Sequence, residues 1–229
     1  MPAAQPIFTK TTFQFFRDLA RNNRTAWMNE NRDRYKSCIV QPCRRFLEEL
    51  APAVLELNDS FDVTGRTGPN FSRINRDIRF AKDKTPYKSQ MYLKFQRPSP
   101  GDRESGQLYV GLTKDTVTVG FRLYSGGKRK ESALALIAQP RVEEHPRWVA
   151  QQKKRLARKF ESYWYTTEKG EWTKHDGWPT DPIAWKKIQA WIVRKKMSPA
   201  AATRASFPAE ALKVFRTLYP LLKFTSLPE

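Results

Sequence analysis

An α+β fold, with an antiparallel sheet flanked by N-terminal and C-terminal helices in a single compact domain over 1–229, follows from two patterns in the sequence. Apolar residues recur every three or four positions through 8–60 and again through 130–225, so both stretches are expected to be mainly helical. Between them, 70–125 alternates apolar and polar residues over short runs, so it is expected to be mainly antiparallel strands. Seven tryptophans, eight tyrosines and fourteen phenylalanines supply a core and exclude a disordered chain.

In the first third, Thr11 or Thr12 serves as cap to a helix whose Phe13, Phe16, Leu19 and Ala20 share a face, and Asn22-Asn23 ends it. A second helix carries Trp27, Met28 and Tyr35 as its stripe. Pro42 kinks or restarts it, and Phe46, Leu47, Leu50, Val54 and Leu55 continue the period to about Leu57. The first strand is expected over Arg73–Phe80, with Arg73, Asn75, Asp77 and Arg79 on one face and Ile74, Ile78 and Phe80, with Arg76 among them, on the other. Thr85-Pro86 marks a turn. Tyr87 to Phe95 alternates as a second strand, and Arg97 to Ser105 is a polar loop. Leu108, Val110 and Leu112 mark a third strand, Lys114-Asp115 a turn, and Val117, Val119, Phe121 and Leu123 a fourth; Ser125-Gly126-Gly127 closes this antiparallel meander. Ser132 to Ile137 then forms a short helix, and Pro146 opens another with Trp148, Val149, Leu156 and Phe160 inward. Tyr163 to Trp178 reads as an irregular aromatic stretch. Asp181-Pro182 caps a helix through Trp185 and Ile188, Trp191-Ile192-Val193 is its end or one more strand, and Pro208 to Tyr219 is the last helix.

A net charge of +19 draws polyanions over a Debye length of about 10 Å. Nucleic acid, anionic lipid and phosphorylated ligands are the candidate partners. No run reaches the ~20 apolar residues of a transmembrane helix, and Met1-Pro2-Ala3-Ala4-Gln5-Pro6 lacks the basic flank and apolar core of a secretory signal. Cys38 and Cys43 are expected to be reduced thiols in a cytoplasmic protein, because a disulfide framework needs more cysteines and a zinc site more ligands than His145 and His175 provide. No metal or cofactor is expected on these grounds. The absence of a helix-turn-helix or zinc-finger signature argues against sequence-specific DNA reading.

Chemistry concentrates in one run, from Arg73 to Lys88, which holds three arginines, three lysines and two aspartates. It supports three readings. As an anion site, Arg73 and Arg79, roughly 20 Å apart on an extended strand, work with Arg76, Lys82, Lys84 and Lys88; guanidinium groups grip phosphate bidentately and lysines add point charge. Tyr87 and Tyr92 then stack on bases. As a catalytic centre, Asp77 and Asp83 hold a divalent metal for phosphodiester cleavage, with Glu48, Glu49 or Glu56 as a third ligand. As a structural network, Arg76 pairs with Asp77, Asp83 or a helix carboxylate and Lys82-Asp83-Lys84 forms the corner of a turn. Other candidates are weaker. His145 lies at a helix start, His175-Asp176 has no nucleophile at motif spacing, the Gly65-Gly68-Pro69 loop lacks the Gly-Lys-Ser/Thr of a phosphate loop, and Lys153–Lys159 is a basic helix face.

The same run, Arg73 through Lys88, resembles the signature of the family called domain of unknown function 2461, a group of conserved hypothetical proteins. Three further regions agree in order: Phe13 through Tyr35 with its Asn22-Asn23-Arg24, Trp27 and Asn31; Gly111 to Tyr124; and Phe215 to Phe224 with Tyr219-Pro220-Leu221. The resemblance covers nearly the whole chain. It makes the charged run a family feature and carries no catalytic role across. Where the family motif often ends in threonine-histidine, this chain has Ser89-Gln90, so a role that needs a histidine there does not transfer.

Overall fold

Thr9, not Thr11 or Thr12, stands at the start of the first helix: its backbone N–H donates to the Thr12 hydroxyl at 3.3 Å, inside α1 (Lys10–Arg21). The computed structural model describes residues 5–98, 106–124, 133–166 and 168–225. Phe13, Phe15, Phe16 and Leu19 of α1 are buried. After α2 (Thr25–Glu30) and α3 (Arg32–Tyr35), the interruption expected at Pro42 takes the form of a π-helical turn, Lys36–Val40, before α4 (Gln41–Leu55). Pro42 has no N–H to offer the preceding turn and its ring crowds that turn's carbonyl; one wider turn accommodates both without breaking the helix.

The sheet has six antiparallel strands in the order β1-β2-β3-β6-β4-β5. β1 (Gln90–Phe95), β2 (Gln107–Thr113) and β3 (Val117–Tyr124) fall where alternation predicts them. The expected strand over Arg73–Phe80 does not form: one isolated antiparallel bridge, Asn75 to Tyr87, touches that segment, and another, Phe71 to Leu93, just precedes it. The other three strands lie in the region expected to be mainly helical. β4 (Glu161–Thr166) and β5 (Trp172–His175) form a hairpin inside the stretch read as irregular, and β6 (Ile188–Met197) adopts the strand alternative for Trp191-Ile192-Val193. Tyr163-Trp164-Tyr165 hides its strand, since three consecutive aromatics show no period.

The remaining helices are α5 (Ala133–Glu144), α6 (Pro146–Leu156), α7 (Pro182–Lys187), α8 (Pro199–Ala202) and α9 (Phe207–Thr225). The α5 and α9 helices run past their expected ends, through Pro140 and Pro220. Asp181 caps α7 as expected, accepting from the Ile183 N–H at 2.9 Å. Most of the polar loop at Arg97–Ser105, the Ser125-Gly126-Gly127 turn and Ser132 lie outside the described residues.

The chain groups into two compact units, each assembled from three stretches. The first comprises Met1–Phe95, Val110–Thr118 and Met197–Lys213. Its centre is a cluster of Phe8, Phe46 and Phe207, with ring centroids 5.3 to 6.0 Å apart. Phe15 packs between Trp27 and Tyr35. The second unit comprises Gln96–Tyr109, Val119–Lys196 and Val214–Glu229. Its core is built on Trp178, Trp185 and Trp191, each essentially inaccessible to water. The Trp191 N–H donates to Ser162 Oγ at 3.0 Å and the Trp185 N–H to the Pro179 carbonyl at 3.0 Å, so these two rings bury with their polar atoms satisfied, whereas the buried Trp178 N–H has no hydrogen-bond partner among the described residues. Both cysteines carry free thiols, Cys43 buried and Cys38 half-buried. Among the described residues, no helix is long and apolar enough to cross a membrane.

Candidate functional site

The charged run begins beside β1 as a loose ladder. Ser72 N–H donates to the Tyr92 carbonyl at 2.9 Å, Lys88 N–H to the Ile74 carbonyl at 2.8 Å, and Arg76 N–H to the Pro86 carbonyl at 2.9 Å. Phe71, Ile74 and Tyr87 are buried and anchor this base. Asn23, expected from the sequence to end the first helix and part of the Asn22-Asn23-Arg24 resemblance, provides the second anchor. Its side-chain amide donates to the Tyr87 carbonyl at 2.8 Å and accepts from the Tyr87 N–H at 3.0 Å, so one side chain does for Tyr87 what a neighbouring strand would. The preceding corner is held by Asn70, fully buried, whose amide donates to the Asp62 carbonyl at 2.6 Å and accepts from the Arg66 N–H at 2.9 Å. Gly65 and Gly68, at φ +69° and +100°, supply the left-handed backbone this corner requires.

Beyond Arg76 the chain leaves strand geometry and arches out to Pro86, cross-linked by its own charges. Arg76 ion-pairs with Asp83 and donates to the Thr85 hydroxyl at 2.6 Å, while Asp83 also accepts from the Thr85 N–H at 2.9 Å. Arg79 grips Asp77 with both forks, at 3.0 and 2.7 Å. Lys84 donates to the Ile78 carbonyl at 3.0 Å. The Arg76 hydrogen bond, helped by Thr85, pulls the Asp83 carboxyl down to about 2. The Arg79 hydrogen bond likewise holds Asp77 below the ordinary carboxylate range and raises the Arg79 guanidinium.

The structure therefore divides the predicted site residues into three groups. Arg76, Arg79 and Lys84 are engaged inside the arch. The charged heads of Arg73, Lys82 and Lys88 have no hydrogen bond or ion pair among the described residues; Arg73 and Lys82 are exposed and Lys88 half-buried. The two tyrosines do not reach the arch as stacking rings. Tyr87 is only 6% exposed, because its place in the base ladder turns the ring inward. Tyr92 is half-buried on β1 with its ring over Gly111, where an added Cβ would meet it at 2.8 Å.

Phe80 reverses its prediction. Placed on the inward face by alternation, it is 95% exposed at the crest of the arch, since alternation ends when the strand does. The Arg79 guanidinium stands 6.0 Å from its ring. A bare phenylalanine flanked by cations is the ring this site offers, and no local pattern in the sequence marks it.

For metal chemistry the arrangement is poorly disposed. The oxygens of Asp77 and Asp83 already accept from Arg79, Arg76 and Thr85. Among the described residues no group of three or more His, Cys, Asp or Glu side chains is placed to hold a metal ion. Of the minor candidates, His145 precedes α6 as its exposed N-cap. His175 lies flat on Trp164, ring centroids 3.7 Å apart, and burial lowers its pKa, with the Lys169 charge adding to the effect.

No curated protein matches the chain in sequence. The family described as conserved hypothetical protein, DUF2461, matches residues 11–224, a span that contains the arch, its Asn23 anchor and the whole sheet, and the chain belongs to that family.

Proposed function

We propose that this protein binds phosphate-bearing polyanions, nucleic acid foremost and without sequence specificity, through the arch between Asn75 and Tyr87 together with Arg73 and Lys88 at its base. The observation that carries the reading is the division of labour among six cations. Asp77 and Asp83 consume the charge of Arg79 and Arg76 and stiffen the loop, while Arg73, Lys82 and Lys88 keep their charged heads without an internal partner among the described residues. A loop tied by its own ion pairs and carrying Lys82, above a base that carries Arg73 and Lys88, meets a phosphate chain at low entropic cost. Phe80 adds a ring able to lie on a base or between two of them. The net charge of +19 supplies the long-range attraction. A cytoplasmic setting, where Cys38 and Cys43 stay reduced, belongs to the same reading.

The test is a salt titration of binding to mixed-sequence nucleic acid. Each phosphate neutralised contributes roughly 0.7 to 0.9 to the slope of log affinity against log salt. Arg73→Gln, Lys82→Gln and Lys88→Gln each remove one cation, so each is expected to flatten the slope by about 1. Phe80→Ala is expected to weaken binding and leave the slope unchanged. A protein that shows no salt-sensitive binding at low ionic strength, or triple Gln variants with an unaltered slope, would refute the proposal.

A further inference from the structure

The second unit carries a surface of its own, built from residues outside the charged run. In the β4–β5 hairpin Tyr165 pairs with Trp172 and Tyr163 with Lys174; across the other edge of β4, Tyr165 pairs with Ala190, Tyr163 with Ile192 and Glu161 with Arg194. Paired positions share a face, so these side chains line one side of the sheet. The opposite side holds Ser162, Trp191 and Val193, all buried. Gly120 of β3 lies against Arg194, and alternation puts Arg122 and Tyr124 on the same side. The Tyr124 ring, 6.4 Å from Trp172 across the small Ala190, agrees with that placement.

This face is aromatic, cationic and open. Trp172 is 40% exposed, Tyr124, Tyr163 and Tyr165 are half-buried, and Lys174 is exposed. Arg194 lies over the Tyr163 ring at 4.6 Å and donates to Glu161 at 2.9 Å. Arg122 lies against both Tyr109 and Tyr124, at 5.4 and 5.5 Å, and donates to Gln107 at 2.7 Å. Both guanidinium groups lie over aromatic rings within cation–π range. Glu161 is the one carboxylate among these paired positions, and Arg194 already engages it.

We propose that this face is a stacking platform for single-stranded nucleic acid. The pairing of Tyr165 with Trp172 and the flanking Tyr124 and Tyr163 offer rings to unpaired bases, and Arg194, Arg122 and Lys174 face the accompanying phosphates. A duplex keeps its bases stacked inside and presents no free base face to a sheet, so the rings select single strands. The ligand class is that of the arch, but the surface and the chemistry differ: the arch reads charge, and the platform reads bases.

Tryptophan fluorescence of the full chain tests it. A short oligouridine, a duplex of equal length and inorganic polyphosphate of matched charge are titrated at one ionic strength. The single strand is expected to quench the signal and to bind at least tenfold tighter than the other two. Trp172→Ala and Tyr165→Ala, followed by anisotropy of a labelled oligouridine, are each expected to weaken single-strand binding about tenfold and to leave polyphosphate binding unchanged. Trp172→Phe keeps a π face and is expected to retain most of the affinity. Should either alanine variant fail to fold, Trp172→Leu preserves bulk without a π system and is expected to show the same tenfold loss. Unchanged single-strand affinity in the folded Trp172 and Tyr165 variants overturns the platform. That outcome does not bear on the arch, whose Gln variants are read out by salt slope.

Discussion

At the scale of single residues, the arch is a case of charges used twice. Asp83 is both the counter-ion of Arg76 and the acceptor for Thr85, which makes its ionisation the condition for the loop's shape. Its folded pKa of about 2 lies below the ordinary value near 3.8. A carboxylate with a depressed folded pKa adds stability that is complete above its unfolded pKa and is lost as pH falls through the folded one. The stability that the Arg76 lock contributes is therefore expected complete at pH 5 and declining below about pH 4, with the pair itself half lost near pH 2 and gone only below it. A carboxyl-carbon NMR titration of Asp83 checks this, with a midpoint near 2 expected; a midpoint at the ordinary value would mean that the pair does not form in solution. Asp83→Asn is expected to release Arg76 at neutral pH, visible as faster exchange of the Thr85 amide. Asn23 makes a second case. Its amide satisfies both backbone groups of Tyr87, and Asn23→Ala strands them partly buried, at a cost of about 1–3 kcal/mol. Hydrogen exchange at the Tyr87 amide is expected to accelerate while α1 keeps its protection, which distinguishes loss of the anchor from global loosening.

At the scale of elements, strands are legible where apolar and polar residues alternate and hidden where they do not. β2 and β3 alternate around Leu108, Val110, Val119 and Phe121, and the sequence locates both. β4 escapes because Tyr163, Trp164 and Tyr165 occupy both faces of the sheet, so one side-chain chemistry serves two environments. Arg73–Phe80 errs in the opposite sense. It alternates like a strand, yet its charges pair within the loop instead of along a ladder, and only the bridge at Asn75 survives. The same local pairing made the charged run recognisable as a site while concealing which of its cations are spent. Phe80 was unreadable because its exposure follows from the departure of the backbone, not from its neighbours in sequence. Glycine 120 shows what a strand position can demand without any signal in the pattern. A Cβ there would come within 2.2 Å of the Val193 carbonyl oxygen and 2.8 Å of Arg194 Cα, both backbone atoms that cannot swing aside. Gly120→Ala is expected to cost about 3 kcal/mol by forcing β3 and β6 apart. Gly65→Ala meets open space and bears only the left-handed backbone penalty, about 1 kcal/mol. Chemical denaturation of the two variants is expected to rank them in that order, and equal losses would show that the β3–β6 approach is looser than described.

At the scale of the whole molecule, the governing quantity is the charge of +19. Like charges on a folded chain repel, and added salt shortens that repulsion from roughly 30 Å at 0.01 M to about 8 Å at 0.15 M. The melting temperature is therefore expected to rise with sodium chloride over this range and then level off. Screening depends on ionic strength alone, whereas an anion that occupies a site adds stability by mass action, about 2.7 kcal/mol at a hundred times its dissociation constant. For a chain of this size that increment corresponds to roughly 5–10 °C. A polyphosphate series at constant ionic strength is thus expected to raise the melting temperature beyond the chloride plateau. The combined Arg73→Gln, Lys82→Gln, Lys88→Gln variant separates the two effects in opposite directions. With three fewer positive charges it is expected to be more stable than the parent at low salt, because repulsion falls, and to lose most of the polyphosphate increment, because the unpaired cations of the arch are gone. If the variant keeps the full increment, the anions are held elsewhere and the arch serves only as scaffold.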